Sequence, residues 1–395
     1  MDTPSETLYP LVKTSRDSLA KVCESLWGWT PCAQWICGKT CHQPPGCLCR
    51  RAERLEPFFD FYRDVTAYYI PDLTGDSGPA LRSHDDLVEI ISLIQNNADK
   101  PRSKLTTEYF SQRVKNGAQG PPTSDQNRAF SLAARIVSMV QCSIENQSDG
   151  LLEAGIQPII WHSDKSFTEF IDTVFRKRQQ PALNPNDDVA PSAKVHLASV
   201  TAKRLRKVAN LKIIPTNDLR NHLLLDDKNG TVAIYHYTSV LKEHILASKE
   251  EGLEQTLGQS IPQQLALETL DTLQNVLFPV DPESQSLLRS LVSKEKFDPD
   301  ILRLESLSYD RPDEQSIGYE YWGSRLIDLY EELENPMPRG YFEKWLERKS
   351  GARYMMMATL IGVIFAVVIG LFSLAVSIFQ AWVAWQQWQH PVVES

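Results

Sequence analysis

Residues 354–389 read YMMMATLIGVIFAVVIGLFSLAVSIFQAWVAWQQWQ, a run without one Asp, Glu, Lys or Arg in a 395-residue chain that carries 41 basic and 50 acidic side chains. All the charges but Glu394 lie ahead of it. A membrane helix needs about 20 apolar residues to cross about 30 Å of hydrocarbon. Residues 355–383 exceed that need, extending roughly 44 Å at about 1.5 Å per residue. Two spans are excluded, because no polar turn divides the run and each half would be too short. A buried helix of a soluble core rarely stays uncharged on every face for so many turns. The mean hydropathy of −0.31 therefore averages a charged body with one apolar segment, and it excludes a polytopic transporter.

The flanks orient the span. Arg339, Lys344, Arg348, Lys349 and Arg353 precede it, and no Lys or Arg follows. The positive-inside rule predicts a cytosolic N-terminal region and a short non-cytosolic tail over residues 384–395. Trp382, Trp385 and Trp388 suit the far interface and Tyr354 the near one. No apolar stretch of the signal-peptide kind follows MDTPSETLYPLVKTSRDSLA. The expectation is a single-pass, tail-anchored protein, and the long span without a basic far flank favours the endoplasmic reticulum or later secretory membranes. Ala358, Gly362, Ala366 and Gly370 recur every four residues. Small residues at that spacing let two helix backbones approach closely in lipid, so the bilayer is one expected partner and a second copy of the helix another.

Six of the seven cysteines fall between Cys23 and Cys49. A cytosolic setting keeps thiols reduced, which leaves three readings. Cys32, Cys37, Cys41, His42, Cys47 and Cys49 offer thiolates and an imidazole suited to zinc, although the spacing C-x8-C-x4-C-x3-C-x5-C-x-C matches no zinc-finger pattern. Palmitoylation is the second, encouraged by nearby Trp27, Trp29, Trp35 and Ile36. The third is a Trp- and Cys-rich insert without chemistry; no other cofactor is expected.

Between cluster and span, the sequence divides into a Cys/Trp-rich segment (1–54), a helical region (55–179), a Pro-rich linker (180–194), a second helical region (195–338) and a basic juxtamembrane helix (339–353). Helical periodicity is read at 55–70, 84–95 behind Ser83, 127–142, around Phe167–Val174, 195–209, 240–248, 263–276, 282–293 and 319–333. Pro215 and Thr216 are expected to open a short helix over TNDLRNHL. Asn229-Gly230, flanked by 223–225 and 231–237, predicts a β-hairpin over about 223–237. The fold class expected is mainly α, with that one hairpin and a single C-terminal transmembrane helix.

No Walker loop, dinucleotide fingerprint, nucleophile elbow or H-E-x-x-H occurs. His222, His236 and His244 cluster in sequence beside Glu243 and would serve a metal or acid–base site if they converged. A net charge of −9 and a pI near 5.5 exclude an electrostatic nucleic-acid partner.

The blocks PTNDLRNHL, YHYTSVLKEHI, DLYEELENPMPRG, KWLERKSGARYMMMATLIGV and AWQQWQHP resemble those of a family of filamentous-fungal proteins anchored in membranes at their C-terminus and of uncharacterised function. The resemblance covers about residues 197–391. It implies a fungal, accessory-type gene product and supplies no catalytic residue. A CorA-type magnesium channel also places a helical domain ahead of C-terminal spans, but this chain lacks a second span and a Gly-Met-Asn loop. The expected function is a non-enzymatic interaction or regulatory module at a membrane; the alternative is an oligomeric transport or channel-like accessory subunit.

Overall fold

Ser15 accepts a hydrogen bond from Ser18 N and so opens the first helix, α1 (Arg16–Trp27), which Gly28 closes at φ 74°. Glycine takes that left-handed turn without strain. The computed structural model describes residues 9–39, 47–72, 78–113, 120–143, 158–183, 196–249, 261–303, 318–337 and 353–389. Within them the chain is mainly α. After α1 come α2 (Ala33–Ile36), α3 (Cys49–Arg54), α4 (Glu56–Ala67), α5 (His84–Asn96), α6 (Arg102–Arg113), α7 (Thr123–Ser138), α8 (Phe167–Val174) and α9 (Ala202–Lys207). They continue with α10 (Thr238–Lys249), α11 (Gln263–Asp271), α12 (Pro282–Glu295), α13 (Gly323–Glu334) and α14 (Arg353–Gln389). The chain divides into two compact units, Met1–Pro336 and Met337–Ser395.

In the first unit α1 packs on α5, α5 on α7, and α10 on α11. Trp27 meets Phe58 edge-on at 5.3 Å and His244 at 5.8 Å, so the N-terminal segment and α10 share one core. Glu243 of α10 completes the junction. Its carboxylate accepts from Trp29 Nε1 at 3.0 Å and from Arg51 Nε at 3.0 and 3.1 Å, and Arg51 stacks over the Trp29 ring. Burial pushes the Glu243 carboxyl up, while Arg51 and Trp29 pull it down.

The hairpin forms as expected: β4 (Leu224–Asp226) pairs antiparallel with β5 (Thr231–Tyr235). Asp226 accepts from Lys228 N and Asn229 N to close the turn. A third strand, β3 (Lys212–Thr216), lies parallel to β5 on its other side. Here the sequence reading is corrected. Residues 215–216 belong to a strand, and only Leu219–Asn221 wind into a 3-10 turn capped by Asp218. Pro215 is tolerated because β3 is an edge strand, where a missing N–H breaks no ladder bond. A two-residue parallel pair, β1 (Cys142–Ser143) with β2 (Ile159–Ile160), was not foreseen either.

Other boundaries shift for local reasons. The helix expected at 127–142 stops at Ser138 because Met139 turns left-handed at φ 53°. The basic helix shortens to α9, capped by Thr201, and Ser83 gives α5 no side-chain cap. Helices α1, α2, α3 and α6 went unforeseen. Of the linker expected at 180–194, Pro181–Leu183 form a 3-10 turn; its residues 184–194, residues 339–352 of the juxtamembrane helix expected at 339–353, and 390–395 lie outside the described residues.

Fully buried Glu268 of α11 gathers the backbone that enters α13. It accepts from Glu320 N at 2.8 Å, Tyr321 N at 2.9 Å and Trp322 N at 3.3 Å. Burial pushes its carboxyl up to about 7 against these donors.

Replacing Glu243 by alanine leaves a partly buried guanidinium and an indole N–H without their acceptor. The expected cost is about 3 kcal/mol, the low end for broken buried ion pairs, because the guanidinium keeps some solvent. Urea unfolding of the full chain in detergent, followed by tryptophan emission, measures it; a loss below about 1 kcal/mol would show that the junction is solvated.

Candidate metal centre and membrane helix

The thiols of Cys32, Cys47 and Cys49 converge, their three Sγ atoms all lying within 4.8 Å of one another. Cys32 precedes α2 as its N-cap residue and Cys49 is the first residue of α3. Tetrahedral zinc–sulfur bonds of about 2.3 Å place sulfurs about 3.8 Å apart, so closing the set around an ion requires a contraction of less than about 1 Å. The group could hold a metal ion. Cys49 is buried, and Cys32 and Cys47 are half-buried. Cys37 is exposed and outside the group; Cys41 and His42 lie outside the described residues. Cys23 sits in the core, where burial pushes its thiol far up and makes it inert. Cys37 is the exposed thiol among the described cysteines, the property an acylation site needs.

The group also has a place in the junction. Trp29 lies three residues before Cys32 and Arg51 two residues after Cys49, and both hold Glu243. An ion joining Cys32 to Cys47 closes the intervening loop between these two donors. In the chain-entropy picture a link across about 15 residues constrains the unfolded chain by about 3 kcal/mol.

The three histidines do not converge. His222 Nδ1 accepts from Tyr235 N, and Nε2 bonds Thr272 Oγ1 at 2.8 Å. The Thr272 hydroxyl is spent on Thr269 O, so His222 carries its proton on Nε2. His236 Nδ1 accepts from Asp298 N, and His244 packs against Trp27. Burial lowers all three rings, His236 and His244 to about 4.

Sequence reasoning passed over Ser239 and Lys242, a Ser-x-x-Lys spacing at the start of α10. One helical turn can bring such a hydroxyl and amine together as nucleophile and base. Both are engaged otherwise. Ser239 Oγ donates to Asp298 Oδ2 at 2.7 Å, and Lys242 Nζ pairs with Asp300 Oδ2 at 2.7 Å. All four side chains are at most 4% exposed. Asp298, raised to about 6 by burial, acts as a cap for α10 through Ser239 N.

Helix α14 is described by itself. It runs through 37 residues, and within Thr359–Gln386 an 18-residue window reaches a mean hydropathy of 2.7, with none of that window buried. Among the described residues it is the one helix long and apolar enough to cross a membrane. Gly362, Ala366 and Gly370 fall on one stripe, and a Cβ on either glycine would meet nothing within 4 Å. Side chains beyond the expected end at Val383 continue the same helix to Gln389. Comparison with family models, with curated proteins and with solved structures finds no match to this chain.

Two measurements check these assignments. Purified full-length protein is expected to bind one equivalent of zinc; Cys49→Ser should abolish it and Cys37→Ser should leave it unchanged, as read by elemental analysis. The second concerns acid. Unfolded His244 titrates near about 6.5, and the folded ring near about 4. Between those values the unfolded chain binds the proton and the folded chain does not, so falling pH removes stability, about 3 kcal/mol by pH 4. Glu268 works in the opposite sense below about pH 7, because its folded carboxyl protonates first. His244→Phe leaves Glu268 untouched, so its urea midpoint should fall less steeply than the wild type's between pH 6.5 and 4; parallel curves would show that His244 titrates normally.

Proposed function

We propose that the chain is a single-pass membrane protein whose N-terminal body faces the cytosol and acts as a non-enzymatic interaction or regulatory module. One observation carries this reading. Thirteen Val, Ile, Leu and Phe side chains of α14, from Ile361 to Phe379, stand exposed. At about 1.5–3 kcal/mol for burying each, the helix has on the order of 20–40 kcal/mol to gain from an apolar phase. That exceeds the whole stability of a typical fold, about 5–15 kcal/mol. The basic residues ahead of the span support the orientation, and its length supports a thicker secretory membrane. The stripe from Ala358 to Gly370 supports a homodimer or a partner helix. Tethering raises local concentration, so weak contacts of the body become effective. Zinc at Cys32, Cys47 and Cys49 would act as a clasp of the N-terminal segment, in keeping with the chemistry of the donors. An oligomeric transport subunit is the lesser reading, because the span offers no ionisable relay.

Alkaline carbonate extraction is expected to leave the protein in the membrane pellet, and proximity labelling of the intact chain should return partners lost on truncation at Gly351. Release into the supernatant, or an identical partner set, would overturn the tether. Gly362→Leu with Gly370→Leu should diminish crosslinked dimers at least severalfold.

A further inference from the structure

We propose that the open face of the β3–β5–β4 sheet, with the end of α7, binds a small amphipathic carboxylate: an apolar body lies on the sheet and the carboxylate meets Arg135. This goes beyond the membrane reading and does not depend on it. The cleft encloses about 920 Å³, within the roughly 300–1,000 Å³ usual for small-molecule sites. Its floor follows from the register. Ile214 pairs with Ala233 and Ala233 with Leu224, so the three lie in one row on one face, and the smallest sits in the middle. The row is a trough with apolar banks. The opposite face, with Ile213, Val232 and Ile234, is spent on the core.

The wall is fixed. Met139 leaves α7 at φ 53° and its carbonyl accepts from Leu219 N at 2.9 Å. Gln141 N donates to Asp218 Oδ2. Arg135 lines the same cleft and makes no hydrogen bond or ion pair among the described residues. Its guanidinium faces the Phe61 ring at 5.8 Å. The three acids lining the cleft are engaged: Asp218 with Arg220 at 2.9 Å, Asp226 with the Asn229 side chain at 2.7 Å, and Asp227 in an interaction of its own. The half-buried guanidinium gives up hydration for a ring face and the unbonded charge of Asp218, with no hydrogen-bonded counterion among the described residues, and burial lowers its pKa. A carboxylate matches its fork of donors, and an apolar body attached to that carboxylate covers the trough.

Calorimetric titration of the full chain in nanodiscs tests this, with hexanoate as probe, hexylamine as its charge-reversed counterpart and empty nanodiscs as blank. Saturable binding of hexanoate is expected, with none of the amine. Arg135→Gln should weaken hexanoate at least tenfold, the loss of one charged contact. Ala233→Phe fills the trough and should do the same, while Arg204→Gln, outside the cleft, should leave affinity unchanged. Absence of saturable hexanoate binding, equal binding of hexylamine, or an unaltered affinity in Arg135→Gln overturns the proposal.

Discussion

The Glu243 carboxylate sits where water is scarce, and it is tolerated there because Trp29 and Arg51 bring donors from 214 and 192 residues away in sequence. Charges taken out of water cost several kcal/mol unless their lone pairs are met. That requirement fixes where the N-terminal segment must lie. With Trp29 and Arg51 placed, Trp27 reaches Phe58 and His244, and the thiols of Cys32, Cys47 and Cys49 fall together between the two donors. Glu268 performs a similar task at α13, collecting three backbone N–H groups that would otherwise lack partners. Buried acids, rather than an extended sheet, thus join distant parts of this helical unit.

Apolar helices were legible wherever the core-facing stripe was made of ordinary hydrophobic residues. Leu87, Ile90, Ile91 and Ile94 mark α5, and Ala129, Ala133, Ile136 and Val137 mark α7. Helix α6 was missed because its buried stripe is Arg102, Leu105, Thr106 and Phe110, half of it polar. Helix α1 was legible in principle, since Ser15 and the series Leu19, Val22, Cys23 and Leu26 carry the right period. Pro215 read as a helix start because the parallel partner that makes it an edge residue arrives from 231–235, beyond any local window.

The candidate site was half visible. Cysteine clustering pointed to the right segment, but spacing alone did not separate Cys32, Cys47 and Cys49 from exposed Cys37, since that choice depends on how α2 and α3 meet. The Arg135 cleft left no local signature, being assembled from α7 and three strands. By contrast the apolar helix α14 needed no tertiary information, because its determinant, freedom from charge on every face, is a property of the sequence itself.

Pro215 has a consequence for the exposed edge of the sheet. Strand β3 is that edge, five residues long. A proline in its fourth position withholds one backbone donor and makes the strand a poor template for another chain. The residue that disguised the strand in the sequence thus helps keep one copy from adding to another's sheet.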